Sequence, residues 1–271
     1  PGVYREQVRI RTPYITLKNE NPNKEAKLTW YYGIGYKYYS AGKDGFYSED
    51  AKLDRFEKNN AARWGVATQI LPSAKYFRAE GITFESSFNK YITDEELIDG
   101  VESDGSINYV RRLTSDVRSA KAKERSSAIC VESEFSEFYN CKFIGNQDTL
   151  FTGSGVPQYY RNCYIEGTTD YIFGEGDVVF ENCELSWCGS PDLNAEGHIA
   201  VAKSKGNKGY LFLNCTVTTL DGMKMGKADF GRPWEQAAKV AFINTKIDRK
   251  DSITESGWAQ MSGNTPEKAT F

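Results

Sequence analysis

Histidine is nearly missing from this chain: of 271 residues only His198 is one. A Ser-His-Asp or Cys-His hydrolase would have to route its proton transfers through that residue, and a His-rich zinc site has too few ligands. His198 sits in Glu196-Gly197-His198-Ile199, a polar-to-apolar transition where a lone histidine reads as a surface or packing residue. No run of about 20 apolar residues exists, which excludes an ordinary transmembrane helix. Net charge is also lacking, since 34 basic residues meet 37 acidic ones. Broad electrostatic capture of nucleic acid or of an anionic membrane is therefore not expected. No signal peptide is visible, and the chain starts at Pro1 and enters a strand-like pattern at once, so it reads as a mature or trimmed fragment.

What is present is a repeat. Phe138, Tyr160, Phe180, Phe212 and Phe242 each lie two residues before an asparagine, namely Asn140, Asn162, Asn182, Asn214 and Asn244. Cys141, Cys163, Cys183, Cys215 and Thr245 follow, and two residues later come Phe143, Ile165, Leu185, Val217 and Ile247. Short β-like units at a spacing of 20 to 32 residues are the mark of a solenoid. The spacing of two after each asparagine makes a strand with the Cys and the next apolar residue on one side. The aromatic falls on the other parity, so the chain must bend at Asn, a residue that tolerates the left-handed conformation. Stacked coils then form ladders of Asn, of small thiols and of aromatics, which is an all-β fold of the parallel β-helix type.

The same arithmetic pairs two carboxylates. Asp148 in Gly145-Asn146-Gln147-Asp148-Thr149-Leu150 stands eight residues after Asn140, and Asp170 stands eight residues after Asn162. Equivalent residues of adjacent parallel strands lie about 4.7–4.9 Å apart at the backbone, so both carboxylates can reach one substrate atom. Like charges so close should split, one pKa rising and the other staying low, which suits one acid and one nucleophile or base.

Elsewhere the pattern is coarser. Residues 2–10, 14–17, 66–70 and 76–84 read as strands, 19–27 as a turn-rich segment, and 48–60 as a charged, partly helical excursion. A charged insertion spans about 89–125, with a short helix at Asp94-Glu95-Glu96-Leu97-Ile98-Asp99; it reads as solvated decoration, with a lid as the alternative. The chain is taken as a single domain over 1–271. Four of its six cysteines share the repeat register and are expected to be free, inward core residues; the pairing of Cys130 and Cys188 stays open.

Four ordered motifs, Gly2-Val3-Tyr4-Arg5-Glu6, Gln147-Asp148-Thr149-Leu150, Asp170-Tyr171-Ile172-Phe173-Gly174 and Gly231-Arg232-Pro233-Trp234, resemble those of the pectin methylesterases, or pectinesterases. The resemblance implies a single-stranded right-handed parallel β-helix with loop insertions, trimmed here at both ends, and a cleft along its side. It implies a secreted carboxylic ester hydrolase that acts as a monomer on methyl-esterified polygalacturonate (pectin), with no metal or organic cofactor. Carried over by motif, Asp170 is the nucleophile, Asp148 the acid and then base, Gln147 an oxyanion donor, and Arg232 the partner that keeps Asp170 ionised. Trp234, Phe151 and Phe173 offer apolar faces to sugar rings.

One departure accompanies the resemblance. The family usually carries a second oxyanion glutamine about twenty residues before Gln-Asp-Thr, and counting back without gaps puts Ser126 there, with Arg125 beside it as a possible substitute donor. Loss of such a donor can cost about a hundred- to a thousand-fold in rate, which keeps a noncatalytic pectin-binding β-helix as an alternative. Polygalacturonase and pectate lyase are the other pectin-acting readings. The first lacks its usual Gly-His-Gly element here, and the second lacks a tight set of aspartates for calcium.

Overall fold

In the computed structural model the described residues are 1–103, 105, 111–115, 117, 124–153, 155–189, 196–204, 208–220 and 226–271. Among them, three parallel sheets have eight, seven and seven strands, and a small antiparallel sheet of three strands stands apart. One coil shows the plan. Ile129–Val131 lies in the second sheet, Ser136–Tyr139 in the third and Lys142–Ile144 in the first, after which Leu150–Thr152 returns to the second sheet one coil further on. The register is strict: Phe143 pairs with Phe84 and Ile165, and Leu150 with Ile129 and Ile172. This is the parallel β-helix expected from the repeat.

The corner between the third and first sheets is built by the asparagines. Asn140, Asn162, Asn182, Asn214 and Asn244 all have φ of 54°, the left-handed conformation that reverses side-chain parity. The preceding aromatics then stack through the interior, with centroids 4.7 Å apart for Phe138–Tyr160, 4.8 Å for Tyr160–Phe180, 4.7 Å for Phe180–Phe212 and 4.3 Å for Phe212–Phe242. The four in-register thiols are buried beside them, and Cys130 and Cys188 are buried thiols as well.

Several boundaries differ from the sequence reading. Residues 2–10 are two strands, Gly2–Arg5 and Val8–Ile10, which enter different sheets. Residues 76–84 likewise divide into Arg78–Glu80 and Thr83–Ser86, with Gly81 at φ +67° between them. Alternation alone does not reveal such a corner, because both flanks alternate.

The insertion 89–125 falls partly outside the described residues, at 104, 106–110, 116 and 118–123. Its described part is anchored, not merely solvated. Helix Asp94–Ile98 places Glu96 against Arg111, with Nε 2.6 Å from Oε1 and both side chains fully buried. Asp99 accepts from the Ser40 amide at 2.7 Å and from the Tyr31 hydroxyl at 2.9 Å.

The corners can be tested singly. Asn182→Ala is expected to lose about 1–2 kcal/mol in urea unfolding, because Ala lacks the short polar side chain that eases Asn in the left-handed region, while Asn182→Gly loses less. Equal losses in the two variants would assign the role of Asn182 to its side-chain amide.

Candidate active site

A second corner, between the first and second sheets, carries the aspartates. Asp148 and Asp170 adopt φ of 63° and 52°, and the pairing of Leu150 with Ile172 makes them equivalent on adjacent coils. The Asp148 amide donates to Thr169 O at 3.1 Å, and the Ser127 hydroxyl donates to Asp148 O at 2.7 Å. The two carboxylates are thus fixed by backbone that cannot shift without breaking the stack.

Arg232 separates their chemistry. It follows strand Lys227–Gly231, and its guanidinium grips Asp170 with two bonds, Nε to Oδ1 at 2.9 Å and Nη2 to Oδ2 at 2.5 Å. Such a fork favours the carboxylate form. Gly231 is required just before it, because a Cβ there would stand 2.0 Å from Ala200 O.

Both aspartates are nearly sealed, at 3% and 6% exposure. Burial pushes the Asp148 carboxyl well above the usual carboxylate range, and the charge of Asp170 pushes it the same way, against Arg125, Arg232 and the Gln147 amide. Asp170 does not simply stay low, as the sequence suggested. Burial raises it too, and Arg232 draws it back by hydrogen bonding and charge. The split still favours a protonated Asp148 facing an ionised Asp170.

Ser126 is fully buried, its amide donating to Gln147 O at 3.2 Å. The residue that bridges to Gln147 across the coils is Arg125, which is exposed. Strands Ile129–Val131 and Leu150–Thr152 pair at an offset of 21, but Arg125 and Gln147 pair at 22. One extra residue in the corner is what ungapped counting missed.

The aromatic wall also differs in detail. Phe173 is 2% exposed and lies under Trp64, whose ring meets it edge-on at 4.9 Å. Trp64 stacks on Phe151 at 5.7 Å and meets Trp234 edge-on at 5.9 Å, and Met261 packs on the same group. Phe151 and Trp234 remain partly exposed, so these two present the accessible faces and Phe173 supports them. Trp64 belongs to no repeat, so periodicity could not select it; its one local mark is the preceding Arg63, whose guanidinium lies 4.4 Å from the ring. His198, read above as a surface or packing residue, is buried against Asp170.

A separate groove on the outside of the first sheet is lined by Lys27, Glu85, Lys90 and Glu166 among others. Within it Lys27 pairs with Glu85 at 3.0 Å and Lys90 with Glu166.

Comparison with known proteins agrees with this geometry. The sequence model of the pectinesterase family matches residues 75–271, leaving the motif at Gly2–Glu6 outside the match. A probable pectinesterase/pectinesterase inhibitor of Arabidopsis thaliana is 30% identical over 230 residues, covering 82% of this chain and 41% of its own length. Pectinesterase A of Emericella nidulans is 36% identical over 141 residues, covering 51% of this chain and 42% of its own. The chain thus spans about two fifths of these relatives. Among solved structures, the pectin methylesterase PemA of Erwinia chrysanthemi superposes with a TM-score of 0.67 at 21% identity, covering all of this chain and 76% of that one, which supports the fold. On the family match over residues 75–271, the chain belongs to the pectinesterase family.

Proposed function

We propose that the protein is a carboxylic ester hydrolase that removes methyl groups from polygalacturonate, acting outside the cell as a single β-helix domain and a monomer. The observation that carries this reading is the buried pair Asp148 and Asp170, in one register on adjacent coils, with Arg232 clamping only the second. Asp170 attacks the ester carbonyl carbon and forms an acyl-enzyme anhydride. As the tetrahedral intermediate collapses, the C–O bond to methoxide breaks and the Asp148 carboxyl gives its proton to the departing oxygen. Asp148, now a carboxylate, takes a proton from water, whose attack releases the acid product and frees Asp170.

Gln147 donates to the developing oxyanion, and Arg125, bridged to it from the preceding coil, is the second donor. The noncatalytic alternative drew its support from an incomplete hole at Ser126. An exposed Arg125 bridged to Gln147 supports the catalytic reading over that alternative. Phe151 and Trp234 give the sugar rings apolar faces.

Methanol release from highly methylated pectin is expected from the intact protein and is expected to vanish in Asp170→Asn; release that persists in the variant would remove Asp170 as nucleophile. Arg125→Ala should lower kcat about a hundred- to a thousand-fold, the range for one oxyanion donor, while Ser126→Ala leaves it close to wild type. The reverse ranking would return the role to Ser126.

Asp148→Asn should abolish turnover yet raise Tm. A carboxyl whose pKa is raised on folding contributes stability at low pH that is lost as pH rises through the folded value, so the variant's advantage should widen from about pH 4 to about pH 7. A Tm difference that is flat across that window would show that Asp148 is not held protonated.

A further inference from the structure

The ladder that carries the two aspartates continues past them. Ile172 pairs with Ala200, which by the same register sets Asp170 opposite His198, and His198 itself pairs with Asp229. Three successive coils therefore bring Asp170, His198 and Asp229 into line. His198 Nδ1 lies 3.7 Å from Asp170 Oδ1, and its Nε2 lies 3.6 Å from Asp229 Oδ2. All three residues are buried, at 6%, 6% and 1% exposure. Asp229 is steadied in turn from the next coil, where Ala228 bridges to Ile253 and the Thr254 hydroxyl donates to Asp229 Oδ1.

A neutral imidazole has one N–H and one lone pair. With a carboxylate facing each nitrogen, whichever nitrogen lacks the proton turns its lone pair toward an anion. A protonated ring presents an N–H to both. The separations are those of ion pairs, slightly beyond hydrogen-bond reach, and burial leaves little water to screen them. Among the described residues, the charged groups around the ring are Asp170 from the aspartate corner, Asp229 from strand Lys227–Gly231, Arg232 just after that strand, and Asp148 one coil beyond Asp170. Arg232 opposes a second cation, but its guanidinium is directed at Asp170 through two bonds, while both ring nitrogens face carboxylates.

We propose that His198 is held as an imidazolium between Asp170 and Asp229, and that it acts as a positioning residue which, together with Arg232, keeps Asp170 ionised inside a buried site. The catalytic part of this rests on the esterase reading; the charge state of the ring does not. Asp229 sets the charge on His198, and His198 sets how far pH can fall before Asp170 is protonated.

Because His198 is the only histidine, the protein gives one imidazole Cε1 proton resonance, and its titration by NMR reports this ring alone. The midpoint in the wild type is expected above the ordinary value of about 6.5, and it is expected to fall by about one pH unit or more in Asp229→Asn and also in Asp170→Asn, a tenfold change or more in proton affinity. A wild-type midpoint at or below the ordinary value, or one that neither variant moves, would overturn the proposal. On methylated pectin, His198→Gln keeps bulk and a donor without the charge. Its acid limb of kcat should move up by about one pH unit with KM unchanged, and an unmoved limb would overturn the positioning role. A wild type whose ring titrates as expected but which releases no methanol would sink the esterase reading and leave the buried charge ladder standing.

Discussion

Parallel stacking of equivalent residues, one coil on the next, is the constraint from which the rest of the molecule follows. In a β-helix each side chain has as its nearest neighbours the residues in the same place on the coils before and after, about 4.8 Å away. Where those residues are apolar, the result is a continuous core of stacked rings and thiols. Where they are ionisable, like charges meet like charges unless the sequence intervenes. At the aspartate corner it intervenes three ways: a buried carboxyl that resists ionisation, an arginine fork on its neighbour, and a histidine on the coil beyond.

That constraint explains what could be read from the chain. The Asn corners, the thiol ladder and the aromatic stack were legible because each repeats in a fixed frame, and the left-handed asparagines at φ 54° follow from a change of parity visible in the letters. Asp148 and Asp170 were legible for the same reason, since both sit eight residues beyond their Asn. Features outside the frame were not. Arg125 was displaced by one extra corner residue, and His198 lies 28 residues after Asp170, a spacing unlike the 22 between the two aspartates that hides their equivalence. Trp64 has no counterpart on other coils, and only the folded chain brings it over Phe173. Phe173 itself could not be distinguished from Phe151 by pattern, because the difference is what lies above each ring.

Burial of titratable groups costs stability, and here the cost is concentrated at one corner. Asp148, Asp170, His198 and Asp229 are all at or below 6% exposure. Sites with such groups tend to be maintained for function and not for folding. The surrounding coils offset the cost through many well-paired strands, so the strain need not be relieved by opening the cleft. The rigidity also suits the proposed reaction, in which attacking and protonating groups must keep their separation through two chemical steps.

The six buried thiols bear on where such a fold can be made. Cys141, Cys163, Cys183 and Cys215 occupy positions that another solenoid could fill with alanine or valine, and no sulfur is joined to another. Cohesion between coils is therefore carried by hydrogen bonds, ion pairs and packing. Assembly needs no oxidant and no disulfide isomerase, and a reducing environment would leave the folded chain intact. Resistance to heat then depends on how readily one coil unzips from its neighbour.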